Sequence, residues 1–452
     1  MNIAKHPIST HIAKGDMVTL NVGANGSSSL SYQWYQGASA DKSHPIPDAN
    51  RSSFTTPSVD RTAQYWVQVM NGNKEIASDT VTINPIPPVK IELIGRWPDT
   101  SGLLSRQGFA YDLDISNDLI YLADGVDGIQ IIQIASPESP KKMAHVPVRA
   151  NQLNIQGNHL FLGSDTFRVF SLATPYVPEE ILKSKYDTSA LFPMKSWGFI
   201  GTSIGFLSVD LRNPMRGPSI LKSNLISPVS EWQVSDIEVA NQVAAISQNW
   251  GGIQFLDITN PAEPSWLSAF YPGASVKQLD WNGSTLLATH GELFPGIEVV
   301  DMSDPLHPRQ TDSIDLEASE GVALMDGSYA LVTGKGLQAL DYGDPTQLVK
   351  VGSSDLEDVD TYGLVVEGDL AYVAAGEDGL LVFRITHQIK LDPPVLENDT
   401  FALSWLGGPG IILQSKSPDP LSEWRDVPGT VGLNNWQANI NNQNTWFRLI
   451  KR

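Results

Sequence analysis

The stretch Ile253–Pro264 reads Ile-Gln-Phe-Leu-Asp257-Ile-Thr-Asn260-Pro261-Ala-Glu-Pro264. An apolar run of strand length ends on an aspartate, and an Asn-Pro turn follows. Asn or Asp before Pro starts a turn by hydrogen-bonding its own backbone, and Pro fixes φ. The phrase recurs as Asp301-Met-Ser-Asp304-Pro305-Leu-His-Pro308, Asp210-Leu-Arg-Asn213-Pro214 and Asp341-Tyr-Gly-Asp344-Pro345. Three further copies place Gln133, Ser171 and Arg384 where the aspartate stands. A role needed in every copy is therefore not carried by this residue, which is read as turn structure.

Around each phrase runs one template: apolar strand, polar turn, second strand, Gly-containing loop, third strand, Pro-bracketed turn, fourth strand. First strands begin near Tyr111, Asn151, Leu191, Ser235, Val276, Glu320 and Tyr362, at intervals of 40, 40, 44, 41, 44 and 42 residues. Four strands in a period of 40–45 residues are the signature of a β-propeller, and seven copies predict seven blades. Middle strands such as Ile129–Ile134 are near-continuous apolar runs, as expected where both faces of a strand are covered by neighbouring blades. The seventh copy ends after Arg384 with no turn of this kind. The segment Lys90-Ile-Glu-Leu-Ile-Gly-Arg-Trp97 reads as a fourth strand and is predicted to complete that blade (residues 90–98), leaving no exposed edge. Residues 90–388 resemble the LVIVD-repeat family, whose third strand ends in Asp just before an Asn-Pro turn. That resemblance implies a propeller linked to cell surfaces.

Two other regimes flank the repeats. Residues 1–86 are rich in Ser, Thr, Asn and Gly and contain alternating runs at Val18–Val22, Tyr32–Gln36, Tyr65–Val69 and Thr80–Ile83, which is strand chemistry. A Trp in a middle strand, Tyr65 two residues before Val67 and an Asn71-Gly72 turn resemble an immunoglobulin-like sandwich. The resemblance makes Trp34 the core tryptophan. It also puts Val22 and Val67 where a disulfide usually stands. Pro85-Ile-Pro87-Pro88 then reads as a short stiff linker. Residues 389–452 carry four of the 12 Trp (405, 424, 436 and 446) in short strands between Gly, Pro and Asn turns. They read as a small Trp-rich β module. The pattern resembles a C-terminal module of large exported Verrucomicrobia and Planctomycetes proteins. The resemblance implies an exported chain that is part of a longer one, placed extracellularly, at the cell surface or in the periplasm. The fold class predicted is all-β: a seven-bladed propeller between an Ig-like sandwich and a small β module.

Composition limits the chemistry. With 30 Lys+Arg against 50 Asp+Glu the chain carries a net charge of −20, which repels phosphate backbones and argues against nucleic-acid binding. Without cysteine there is no disulfide and no thiolate ligand or nucleophile. No stretch approaches the ~18 apolar residues that span a bilayer. The start, MNIAKHPISTHIAKGD, lacks the apolar core of an export signal, so the segment is read as cytosolic or as a mature or excised piece. No Gly-x-Ser-x-Gly elbow, phosphate loop, His-Glu-x-x-His or Asp-x-Asp-x-Asp-Gly loop is present.

In a propeller, loops between second and third strands share one end of the ring with loops between blades. Three features fall there. Glu317, Glu320, Glu357, Asp358, Asp360, Glu377 and Asp378 form an acidic sector. Of these, Glu320, Asp358, Asp360, Glu377 and Asp378 are candidate ligands for a divalent cation, calcium above all, and no other cofactor is expected. Trp232, Trp250 and Phe294 are loop aromatics suited to sugar or protein contacts, with Arg149 on an inter-blade loop beside them. His290 and Glu292 are the one His–carboxylate neighbour pair there. The leading expectation is a non-catalytic secreted or cell-surface scaffold holding a protein or glycan on this face. The alternative is a propeller hydrolase or lyase with an acidic, metal-assisted site.

Overall fold

The structure is a computed structural model. It describes the chain except residues 27–28, 99–107, 195, 203–204, 213–233, 292, 326–328, 357, 388–389, 392–394, 398–399, 407–410, 418–421, 429, 431–434, 440–444 and 452. The described residues are all β, with no helix, and none is therefore long and apolar enough to cross a membrane as a helix. They form two compact units: residues 1–88 with 349–351 and 387–452, and residues 89–348 with 352–386.

In the first unit, strands Thr10–Ala13, Val81–Ile86, Ala63–Asn71 and Ser31–Gln36 lie side by side in that order, with Lys74–Ala77 paired to Ala63–Asn71. Alternation along these strands puts one residue in two inward. Trp34, Val67, Val69, Val81 and Ile83 are fully buried, and Tyr65 and Val22 join the same core. Trp34 lies opposite Val67, and its indole N–H donates to Arg51 O at 2.9 Å. Val22 and Val67 thus supply apolar packing here. Near the C-terminus, Leu403, Leu413 and Val427 form a small buried apolar cluster, with Phe447 and Leu449 packed against it. The tryptophans expected to supply that core do not all do so. Trp446 is 59% exposed and Trp424 lies half-buried under the Arg448 guanidinium, 4.5 Å from its ring centroid. Facing a cation on one side suits an indole, whose ring face attracts positive charge.

Seven antiparallel sheets follow, numbered here in chain order, and all of their residues belong to the second unit except 349–351 and His387. Sheet 1 is Asp112–Ser116, Leu119–Ala123, Ile129–Gln133 and Lys141–Val146. Sheet 2 is Gln152–Gln156, His159–Gly163, Arg168–Ser171 and Glu179–Lys183. Sheet 3 has three described strands, Ala190–Pro193, Trp197–Thr202 and Gly205–Asp210. Sheet 4 is Asp236–Ala240, Val243–Ser247, Ile253–Asp257 and Ser265–Phe270, and sheet 5 is Val276–Asn282, Thr285–His290, Gly296–Asp301 and Arg309–Asp315. Sheet 6 is Ser319–Leu324, Tyr329–Gly334, Gly336–Asp341 and Val349–Ser353. Sheet 7 joins Leu364–Glu367, Leu370–Ala374 and Leu380–His387 to Val89–Trp97 as its outer strand. Among the described residues no sheet closes on itself.

The turns after the third strands of sheets 4, 5 and 6 are held by their aspartates. Asp257 Oδ1 accepts the N–H and the hydroxyl of Thr259, at 2.8 and 2.6 Å, while Asp301 and Asp341 accept the N–H groups of Ser303 and Gly343, both at 2.9 Å. The expected turn at Asn213-Pro214 lies outside the described residues. The apolar runs are explained by shared cores. Tyr121, Ile129 and Ile131 of sheet 1 pack with Leu153, Leu160 and Leu162 of sheet 2, and Ile120, Leu122 and Ile132 on the other face pack with Tyr372, Leu380 and Val382 of sheet 7. Fully burying one such side chain stabilises the fold by about 1.5–3 kcal/mol. Each first strand lies against the first strand of the next sheet, and that of sheet 7 lies against that of sheet 1.

Candidate functional site

The seven first strands line a cavity of about 850 Å³. Residues from every sheet reach it, including Asp112 and Asp114 (sheet 1), Gln152 and Asn154 (sheet 2), Leu191, Asp236 and Glu238 (sheet 4), Gln278, Glu320 and Leu364. Its lining holds seven acids (Asp112, Asp114, Asp165, Asp187, Asp236, Glu238, Glu320) against two bases, Arg149 and Lys277.

Three of these acids, Asp112, Asp114 and Asp236, have a structural duty. Among the described residues no strand ladder joins the first strands of successive sheets, and side chains bridge them. Asp112 Oδ2 accepts Leu153 N–H at 3.0 Å, and Asp114 Oδ2 accepts Ile155 N–H at 2.6 Å. Asp236 Oδ2 accepts Leu279 N–H at 2.8 Å, Gln278 Oε1 accepts Val322 N–H at 2.9 Å, and Asp280 Oδ2 accepts Leu324 N–H at 2.7 Å. Each bond satisfies a backbone donor that would otherwise be costly to bury. Burial pushes Asp112 up to about 7, against the pull of the two N–H groups, and the charge of Asp236 adds to the rise. Asp236 rises to about 7 and Asp114 to about 6 by burial in the same way, and Asp280 and Glu238 are also raised.

Loops between second and third strands meet the segments that lead into the next sheet. Gly125 bridges Ala150, Asn249 bridges Val276, Lys335 bridges Asp360, and Gly376 bridges Ala110. The predicted site residues on this end are scattered. Arg149 is exposed and lines the cavity, as does Glu320, whose carboxylate is 3.9 Å from Lys277 Nζ. Asp360 is exposed and ion-paired with Lys335 at 2.6 Å, Asp358 and Glu377 are exposed, and Asp378 is half-buried. Among the described residues no three His, Asp or Glu side chains are grouped to hold a metal ion. Trp250 and Phe294 are 40% and 64% exposed. Trp232, Glu292 and Glu357 lie outside the described residues.

His290 is buried, and its Nε2 lies 3.2 Å from Oε1 of Glu298, which is 1% exposed. The sequence neighbour Glu292 was the expected partner. Register supplies Glu298 because His290 lies opposite Gly296, and Glu298 is two residues on, on the same face of the sheet.

Sequence reading missed an aromatic group at the cavity. Phe109 packs on Tyr111 at 4.7 Å between ring centroids and on Tyr362 at 5.2 Å, with the two tyrosines 6.3 Å apart. Both tyrosines line the cavity and Tyr111 is 40% exposed. Burial raises the Tyr362 hydroxyl, helped by the charges of Asp360 and Glu320. The available signal was positional: Tyr111 and Tyr362 each stand where a repeat begins.

Residues 4–85 match the family described as Ig-like domain CHU_C associated, and residues 360–385 match the LVIVD repeat. No curated protein matches the chain. Among solved structures, the chain is similar to the computationally designed Ika8 protein, with 13% identity over 69% of this chain and 96% of that one and a TM-score of 0.45. A complex of S. cerevisiae Dbp5 with Nup159 and Gle1 gives 14% identity, 66% and 96% coverage and a TM-score of 0.48. The Mitotic Checkpoint Complex gives 14% identity, 67% and 95% coverage and a TM-score of 0.48.

Proposed function

We propose that the seven sheets are the blades of a β-propeller and that the chain is a non-catalytic binding scaffold of the cell exterior, holding a protein or glycan ligand at the cavity mouth. The observation that carries this reading is the cavity itself, lined by first strands of all seven sheets and carrying exposed aromatic surface at Tyr111. A concave site with a few convergent polar groups and an aromatic wall is suited to binding. The Ig-like match, to a domain typical of exported proteins, supports the location. The flanking β modules then serve as spacers and attachment units.

The test is a screen of the purified full chain against glycan arrays and bacterial surface proteins, repeated with Tyr111→Ala and Trp250→Ala. A ligand whose affinity falls about tenfold in Tyr111→Ala, a loss of about 1.4 kcal/mol, supports the reading. Finding no ligand, or a ligand bound equally by both variants, overturns it.

A further inference from the structure

The bridging positions inside the cavity are not all used for bridging. On sheets 1 and 5, Asp114 and Asp280 reach the N–H of the next first strand. Sheet 4 places Glu238 at that position. Its hydrogen bond is to the N–H of Val239, its own neighbour in the chain. The longer side chain lines the cavity and does not bridge to sheet 5. Elsewhere on the lining, Asn151 Oδ1, Gln152 Oε1 and Thr188 Oγ1 have no hydrogen-bond partner among the described residues, and Thr188 is only 5% exposed. Buried polar atoms without partners are uncommon and ask for one. All of these oxygens can accept hydrogen bonds, and acids outnumber bases on the lining by seven to two. The complementary ligand brings donors and positive charge.

We propose that the cavity binds an organic cation, an ammonium or guanidinium group carried by a small polyamine or by a basic peptide side chain. Glu238, which the charge of the bound cation holds ionised, is its counter-ion, Asn151, Gln152 and Thr188 accept its N–H groups, and the Tyr111 ring face lies at its entrance. Aromatic faces attract such cations. A divalent metal fits less well, because Asp112, Asp114, Asp236 and Asp280 already accept backbone N–H groups and no three ligands are grouped among the described residues. This inference rests on the reading of the cavity as the ligand site.

The test is calorimetric titration of the full chain at low ionic strength with spermidine, an arginine tripeptide, its citrulline counterpart, maltohexaose and calcium chloride. The expected result is binding of spermidine or the arginine peptide, at least about tenfold tighter than the citrulline peptide, with whichever binds more tightly naming the source. Glu238→Gln weakens that binding about tenfold, Thr188→Val weakens it less, and the exposed-turn variant Asp304→Asn leaves it unchanged. Should Glu238→Gln fail to fold, Thr188→Val and the citrulline comparison on the natural chain decide. Equal binding of the citrulline peptide, or a folded Glu238→Gln that binds like the natural chain, overturns the proposal. Binding of maltohexaose alone, lost in Tyr111→Ala, overturns the cation class and leaves the binding scaffold standing. Binding of none of the five probes overturns the cation class, and it overturns the scaffold as well if the wider screen is also empty.

Discussion

Asp236 on the first strand of sheet 4 accepts the backbone N–H of Leu279, 43 residues further along the chain, at 2.8 Å. The same interval, 41 residues for Asp112 with Leu153 and 44 for Asp280 with Leu324, recurs across the other bridged neighbours. The repeat period is thus also the spacing between a carboxylate and the donor it satisfies. Removing the acceptor should expose that dependence. Asp236→Ala leaves the Leu279 N–H unpaired in a buried setting, at an expected cost of about 1–3 kcal/mol. Asp236→Asn keeps an acceptor oxygen and should cost much less. Urea denaturation of the two variants checks the order, and equal losses would mean the bridge contributes nothing.

These carboxylates also set the pH response. Burial raises Asp112 and Asp236 to about 7 and Asp114 to about 6, whereas an unfolded aspartate titrates near ~3.9. Between those values the folded state holds more protons than the unfolded state. Their contribution is therefore fully present below about pH 4 and is lost as pH rises through about 6 to 7. The melting temperature should fall from pH 5 to pH 8, and Asp236→Asn should flatten the slope. A melting temperature that rises over this range would contradict the assignment.

How far the sequence could be read follows from the same geometry. Apolar runs and Asn-Pro turns are local, so seven strand sets were visible in the order of the chain. Seam chemistry is less legible, because polar residues alternating along a strand read equally as a solvent-facing side. Asp112-Leu-Asp114, Asp236-Ile-Glu238 and Gln278-Leu-Asp280 alternate polar and apolar residues on the first strands, and the polar ones line the cavity or bridge to the next strand. A ring closed by residues 90–98 already makes the first and last sheets neighbours, but the contact of Tyr111 with Tyr362 depends on side-chain placement that the repeat pattern does not carry. In the C-terminal segment, Trp content suggested a core, yet charge beside the ring left Trp424 facing Arg448.

The Ig-like region offers a test of packing without a disulfide. Trp34 is fully buried between Val67 across the strand and Phe54, 5.7 Å away between ring centroids. Truncating a buried aromatic of this size removes its transfer energy and leaves a cavity, about 3–5 kcal/mol together. Trp34→Ala should therefore unfold this region at markedly lower urea, read by tryptophan fluorescence and by protease cleavage within residues 1–88. Resistance equal to that of the natural chain would show that Trp34 does not anchor the core.

The His290–Glu298 pair makes an asymmetric prediction. Glu298 is buried more completely than His290, and the two approach to 3.2 Å. Removing the acid leaves an imidazole that is the more open of the two to water. Removing the histidine leaves a carboxyl group shut away from water with its polar neighbour gone, at an expected cost of about 1–3 kcal/mol. His290→Ala should therefore be more damaging than Glu298→Ala, although the histidine is the more exposed of the two. Neutralising the stranded acid should then restore stability, so that the double variant His290→Ala with Glu298→Gln melts above His290→Ala alone. Stability curves at pH 7 for the three variants decide this. A double variant less stable than His290→Ala would mean that Glu298 is held by contacts other than the histidine.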